Sequence, residues 1–263
     1  MFGPGVLDRT RAGVCAVGYS TVPIADYLKD PGRPFFKVLG TGFLVRDTTV
    51  ATNRHVIEGL QELQRDHGFP DSQKALSFVY PTGVGQLQTA LSAVGFVSAP
   101  QPPGPDIGFI EFQRPTNPEF QQCKPLPVGS ISYIAAGQET AVMGYPYGTS
   151  MLTKGAKVYR FGPVIQHGHI SAISPFDRFG LVTEILLDLR AAPGMSGSPV
   201  VWPGSGQVIG IVTEMLEATV AMALPLDSTS VTQYLQAHDA AMTSVTRPPS
   251  LPSPSSSPPK PPP

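Results

Sequence analysis

A chain of 263 residues is long enough to bury one large all-β domain or two smaller lobes. Hydrophobic residues make up 41% and charged residues only 14%, with 27 Gly and 30 Pro, which reads as a globular, turn-rich, soluble all-β body. A formal net charge of −1 gives no basis for binding nucleic acid or an anionic membrane surface.

The segment from Met1 to Arg9 has no basic region followed by an apolar run of signal-peptide length. No stretch approaches the roughly 18 consecutive apolar residues that a membrane span needs. The sequence as given therefore reads as cytoplasmic, or as secreted if a leader has been removed. Its two cysteines, Cys15 and Cys123, read as buried small hydrophobes in preference to a disulfide, and two thiols alone make no zinc site. Residues 13–22 form a first strand. A turn-rich insertion follows through Asp30 to Pro34, and Lys37 to Arg46 is a strand interrupted by Gly40 and Gly42, which marks a bulge or a close backbone approach. Thr49 to Thr52 is a short strand with His55 just after it. From Val56 to Asp66 the pattern turns helical, with Val56, Leu60 and Leu63 on one face and Gly68 as the stop.

Strands are expected at 75–80, 87–97 and 107–112, and the Pro-rich run 99–105 must be a surface loop. Beyond a Pro-punctuated connection, strands resume at 140–144, 156–161, 164–173, 181–187, 199–202, 207–213 and 219–224. Ser228 to Met242 fits a closing helix, with Asp227 or Ser228 as N-cap and Val231, Tyr234 and Leu235 on the apolar side. Two sets of about six short strands point to two antiparallel β-barrels with a C-terminal helix. The expected divisions are 1–113 for the first lobe, 114–127 for the connection, 128–246 for the second lobe with its helix, and 247–263 for the tail. That tail holds nine prolines and five serines in seventeen residues and cannot bury enough apolar surface to fold.

The chemistry concentrates in Asp188 to Trp202, where a Gly-rich bend carries Ser196 and then enters an apolar, β-branched run. A serine on a tight turn beside unpaired backbone N–H groups is what acyl transfer needs, although Gly-Met-Ser-Gly-Ser-Pro on its own is more often a turn between strands than a catalytic site. Its partners lie earlier. His55 stands where a strand ends, and Asp106 stands immediately ahead of an apolar strand. The order is His, Asp, Ser with separations of 51 and 90 residues. Seven motifs occur in sequence: Gly-Thr-Gly-Phe-Leu-Val, Thr-Asn-Arg-His-Val, Asp-Ile-Gly-Phe-Ile, Val-Met-Gly-Tyr-Pro, Gly-His-Ile-Ser-Ala, Pro-Gly-Met-Ser-Gly-Ser-Pro-Val and Val-Ile-Gly-Ile-Val-Thr.

Over roughly residues 13–240 this set resembles the trypsin-like (chymotrypsin-fold) serine proteases, in their bacterial HtrA/Deg-like and glutamyl-endopeptidase-like branch. The resemblance implies a serine endopeptidase that acts on polypeptide without a cofactor or metal. Ser196 would be the nucleophile, His55 the general base and then acid, and Asp106 the group that orients the imidazole. The N–H groups of Gly194 and Ser196 would form the oxyanion hole. Thr213, Glu214 and Met215 would lie on the edge that pairs with extended substrate, Thr213 near the Asp106 carboxylate. Arg190 and Ala191, with Thr213, Met215 and Ala223, would border the primary pocket. Arg190 at its base would favour an acidic side chain, whereas Ala191 and Met215 would suit a small apolar one. Met195 departs from the Asp or Asn usual in the family and removes the partner for a newly cut N-terminus, so cleavage-dependent activation is not expected. Ser198 is read as structural. His67, His167, His169 and His238 are read as surface or cleft residues, because His167-x-His169 lacks a third ligand. Two other classes remain: a catalytically silent protease-fold binding module, and an α/β-hydrolase using Ser196, Asp227 and His238. Oligomeric state is not readable.

Overall fold

A computed structural model describes residues 2–3, 5–27, 36–83, 86–147, 153–154, 157–158, 162–175, 181–190, 192–216 and 220–246. Ala191 and the tail 247–263 lie outside these residues. The first half runs α1 (Val6–Ala12), β1 (Val14–Ser20), α2 (Ile24–Tyr27), β2 (Phe36–Arg46), β3 (Thr49–Thr52), α3 (Arg54–His67), β4 (Lys74–Gly83), β5 (Gln86–Ser98) and β6 (Gly108–Phe112). The second half runs β7 (Glu139–Gly144), β8 (Thr153–Lys154), β9 (Lys157–Val158), β10 (Val164–Ser174), β11 (Glu184–Leu187), β12 (Pro199–Val201), β13 (Val208–Leu216), β14 (Val220–Pro225) and α4 (Ser228–Thr246).

Two closed antiparallel barrels result, in the strand orders β1-β2-β3-β6-β5-β4 and β10-β11-β14-β13-β12-β7. Closure pairs both edge strands of each sheet with one another. Strand alternation builds three apolar layers. In β1, Cys15 and Val17 point into the first barrel, whereas Val14 and Ala16 point towards the second lobe. In β12, Val200 points into the second barrel and Val201 into the shared layer, and Ile209 and Val208 of β13 divide in the same way. This is why strands such as Thr49–Thr52 and Pro199–Val201 are buried at every position and do not alternate with polar residues. Cys15 and Cys123 are buried and free; burial pushes the Cys123 thiol up to about 12.

Several boundaries differ from those read in the sequence. Helix α3 begins at Arg54, so His55 sits in its first turn and not in a loop before it. It ends as expected at Gly68 (φ 66°), whose N–H reaches the Gln64 carbonyl at 2.8 Å. Of the 156–161 run the described residues are those of β9, paired with β8 in a small separate sheet; 156 and 159–161 lie outside the described residues. The strand expected from 181 begins at Glu184. Helix α1 was not anticipated, because only Thr10 and Ala12 bury and no apolar period announces it. Gly40 meets both expectations: a bulge lies beside it in the β1–β2 pairing, and Val56 and the Ser196 carbonyl crowd it. No helix among the described residues is long and apolar enough to cross a membrane.

Helix α4 closes the molecule across both lobes. Asp227 caps it, its Oδ1 accepting the Ser230 N–H at 2.7 Å while the Asp227 N–H donates to Ser230 Oγ at 3.1 Å. Val231 and Leu235 bury in the shared layer. His238 is not a surface or cleft residue: it is 1% exposed and is inserted into the first barrel wall. Its Nδ1 lies 2.6 Å from Ser98 Oγ and its Nε2 3.1 Å from Glu111 Oε1, with the Phe96 and Phe109 rings beside it. The α4 period shows an apolar face but cannot show that this face meets a carboxylate from β6. Burial alone would raise the Glu111 carboxyl, but hydrogen bonds from His238, Thr49 and Thr48 outweigh it and hold it below its ordinary value. A carboxylate depressed in the folded state adds stability above its unfolded value of about 4.3, and that stability is lost as pH falls through the lower folded value. Thermal melts should therefore show the midpoint of the wild type falling more steeply than that of Glu111→Gln below about pH 4. Parallel acid limbs would contradict the role given to this cluster.

Candidate active site

His55 and Asp106 are brought together by their chain neighbours. Asn53, fully buried between β3 and α3, donates its Nδ2 to the Asp106 carbonyl at 2.9 Å. Arg54 reaches the carbonyls of Pro100, Gly104 and Pro105, fixing the Pro-rich loop that delivers Asp106. The Asp106 carboxylate then makes two contacts with one residue. Its Oδ1 accepts the His55 backbone N–H at 3.1 Å, and its Oδ2 lies 2.7 Å from His55 Nδ1. The first places a negative group at the N-terminal turn of α3, where unpaired N–H groups favour it. Burial would raise the Asp106 carboxyl, but the His55 contacts and the nearby Arg54 guanidinium hold it below its ordinary value. An ionised carboxylate at Nδ1 fixes the proton on that nitrogen and leaves Nε2 as the free base. The imidazole side chain is 45% exposed, open enough to meet a ligand.

The serine turn is seated against the first barrel through Thr41 of β2. The Thr41 N–H donates to the Ser196 carbonyl and its Oγ1 to the Gly194 carbonyl, each at 2.8 Å. That Oγ1 also accepts the Tyr145 N–H at 3.1 Å, while the Thr41 carbonyl accepts Thr52 Oγ1 at 2.7 Å. Thr52 directly precedes Asn53, so one threonine ties the serine turn to the segment that carries His55. Its side-chain role had no signal beyond its place between two glycines. On the far side, Gly197 N–H donates to the Val212 carbonyl and Val212 N–H to the Ser198 carbonyl, both at 2.9 Å. Ser196 Oγ makes no hydrogen bond to His55 among the described contacts; such bonds are often long before substrate arrives.

Residues 192–195 form a type II turn. Met195 N–H reaches the Ala192 carbonyl at 3.0 Å, Pro193 cannot take positive φ, and Gly194 has φ 94°. In a type I turn the central peptide would face the opposite way. Here it is set by the Pro-Gly pair, and neither the Gly194 nor the Ser196 N–H has an acceptor among the described residues. Met195 is fully buried in the core of the second barrel, its sulfur 3.8 Å from Gln166 Nε2. Apolar packing of this side chain therefore anchors the turn to the second barrel core. Ser198 is also fully buried, and its Oγ has no partner among the described residues.

Gly197 is held closely against the first barrel in this junction. It has φ 85°, and a Cβ there would lie 2.0 Å from the Thr41 carbonyl oxygen and 2.6 Å from Thr52 Oγ1. Gly197→Ala should lower stability by about 3 kcal/mol, combining left-handed strain with displacement of the turn from β2. Chemical denaturation measures it; an unchanged midpoint would contradict the seating described here.

Beside the His55–Asp106 pair lies a cleft of about 450 Å³, lined by these two residues with Thr183, Glu184, Thr213, Glu214 and the β14 run Met222 to Leu224. Thr213 thus shares the cleft with Asp106, although its hydroxyl donates to the Met222 carbonyl at 3.4 Å and not to the carboxylate. Met215 is half-buried against the second barrel core. Arg190 is exposed and does not line this cleft, and Ala191 lies outside the described residues. Thr183 and Glu184 went unnoticed in the sequence, since only the β11–β14–β13 pairing brings them here. His167 and His169 each meet their own carboxylate, Glu139 and Asp188, and no group of three ligating side chains gathers among the described residues. The Ser196, Asp227, His238 alternative fails, because His238 is sequestered by Glu111 and Ser98, and β12, not a helix, follows the serine.

Two closed six-stranded antiparallel barrels with a C-terminal helix are the fold of the trypsin-like class, and here the first barrel carries the His–Asp pair and seats the serine turn of the second through Thr41. The model of the trypsin-like peptidase domain family matches residues 40–211, and the chain belongs to that family. Glutamyl endopeptidase of Staphylococcus epidermidis is 26% identical over 208 residues; the chain spans 61% of that relative's length, and the alignment covers 78% of the chain. Among solved structures, a serine endoprotease from Yersinia pestis is similar at TM-score 0.54 and 16% identity, covering 90% of this chain and 67% of that one. AlgW, an HtrA-type protease solved with a tripeptide, gives 0.52 and 16%, covering 88% and 62%. A protein of M. tuberculosis H37Rv, solved as an inactive mutant, gives 0.52 and 18%, covering 94% and 97%. At these identities the structures speak for the fold.

Proposed function

We propose that the chain is a serine endopeptidase, with Ser196, His55 and Asp106 as its catalytic triad. The observation that carries this reading is the direct His55–Asp106 pair, set across the lobe junction from a serine on a Pro-Gly type II turn. His55 Nε2 takes the Ser196 proton as Oγ attacks the substrate carbonyl. The ionised Asp106 stabilises the imidazolium that forms. The N–H groups of Gly194 and Ser196 receive the negative oxygen of the tetrahedral intermediate. His55 then protonates the leaving amine, and the acyl-Ser196 ester is hydrolysed by water in the reverse sequence of proton transfers. No cofactor enters these steps.

The substrate in this reading is an extended polypeptide. β12 pairs with β13 only as far as Ile211, so the Thr213–Leu216 edge facing the serine turn is free of β12. A substrate strand adding there gains main-chain hydrogen bonds and is delivered to Ser196. The preference in the name of the S. epidermidis relative is not carried over to this chain. The test is digestion of an unfolded protein with and without a phosphonofluoridate. Cleavage that the reagent abolishes supports the reading; an unfolded substrate left intact by folded, untreated protein overturns it.

A further inference from the structure

The cleft beside His55 has a charge and shape of its own. Its floor is Met222, Ala223 and Leu224 of β14, with Glu184 on β11 to one side and Glu214 on β13 to the other. Both carboxylates are exposed, and neither forms an ion pair or hydrogen bond among the described residues. The third acid in the lining, Asp106, is committed to His55. Among the described residues, no Lys or Arg lines the space. Glu214 pairs with Met222 and stands next to Thr213, so it borders the strand edge left free for substrate.

We propose that Glu184 and Glu214 make this cleft a subsite for a cationic side chain, so that the enzyme selects substrates carrying Lys or Arg close to the scissile bond. This rests on the proteolytic reading above and adds the substrate class. The match is chemical on both ends of such a side chain. The Met222 and Leu224 floor accepts the methylene stem, which long basic residues bury along apolar surface. The two carboxylates receive the head, and a substrate carboxylate in the same place meets two like charges, with no Lys or Arg among the described residues to offset them. Partial exposure keeps each pairing modest, and the two act together on the same side chain.

The experiment has two arms. In the first, a peptide that the protein cleaves is resynthesised with Lys, Gln or Glu at each position flanking the cut bond. At one or two positions Lys should exceed Glu by about tenfold in kcat/KM at low salt, and about 0.5 M NaCl should erase most of that ratio. The double variant Glu184→Gln/Glu214→Gln should cleave Lys and Glu peptides at similar rates. In the second arm, fluorescein-labelled Ala/Ser decapeptides carrying two Lys or two Glu are titrated into the Ser196→Ala variant, which reads charge selection without hydrolysis. Tighter binding of the Lys peptide, lost in the Glu184→Gln/Glu214→Gln background, supports the subsite. Equal or inverted preference in both arms overturns it while leaving proteolysis standing. Lys-selective binding with no cleavage by the wild type overturns the proteolytic reading and leaves the subsite standing.

Discussion

Ser196→Ala is expected to lower kcat on the order of 10⁶-fold without changing the fold, whereas Ser198→Ala should leave kcat within a few-fold of the wild type. The two serines sit two residues apart, yet their surroundings separate them completely. Ser196 is half-buried on the turn, beside two N–H groups with no acceptor among the described residues. Ser198 is fully buried, its hydroxyl in the space where a Gly144 side chain would otherwise begin. Losing a buried hydroxyl with no partner removes a desolvation cost and not a bond, so Ser198→Ala should also melt at or slightly above the wild-type midpoint. Steady-state kinetics on one peptide, with matched thermal melts, checks both. A Ser198→Ala protein that is folded and inactive would reverse the assignment.

Asp106→Asn is expected to cost about 10⁴-fold in kcat while the protein remains folded. The reason lies in the two contacts made by one carboxylate. An asparagine has a single acceptor oxygen, and the His55 backbone N–H at 3.1 Å claims it. The amide NH₂ then faces Nδ1, 2.7 Å from the present oxygen, and can only donate. That stabilises the tautomer with the proton on Nε2, which cannot accept a proton from Ser196. Losing the negative charge also removes the stabilisation of imidazolium. The expected signature is a fall in kcat with KM little changed, since Asp106 meets the imidazole and not the scissile group. A loss of less than tenfold would show that Asp106 does not set the His55 tautomer.

Much of the architecture was readable because the strands alternate between two kinds of core. Short β-branched runs at 49–52, 107–112 and 199–202 gave the barrels, and residue order placed His55 and Asp106 in one lobe and Ser196 in the other. What escaped depends on tertiary pairing. Helix α3 starts early because the Asp106 carboxylate caps its first turn from 51 residues away, a partner that no local capping pattern includes. His238 looked like a surface residue because its acceptor, Glu111, comes from the other lobe. Motif position assigns Arg190 to the primary pocket; it is exposed and does not line the cleft beside His55, where Glu184 and Glu214 supply the charge, two residues that no motif position marks. The Met195 substitution left open how the oxyanion turn is held. In the structure that thioether is buried in the second barrel core, next to the Pro193-Gly194 turn.

The central claim is that the serine turn is already formed in the uncut chain. Intact-mass spectrometry after phosphonofluoridate treatment tests it, with the N-terminus verified in the same spectrum. A single adduct on the species beginning at Met1, mapped to the peptide containing Ser196 and absent from Ser196→Ala, is the predicted result. Labelling confined to a shortened species, or a folded chain that takes no label at Ser196, would contradict it.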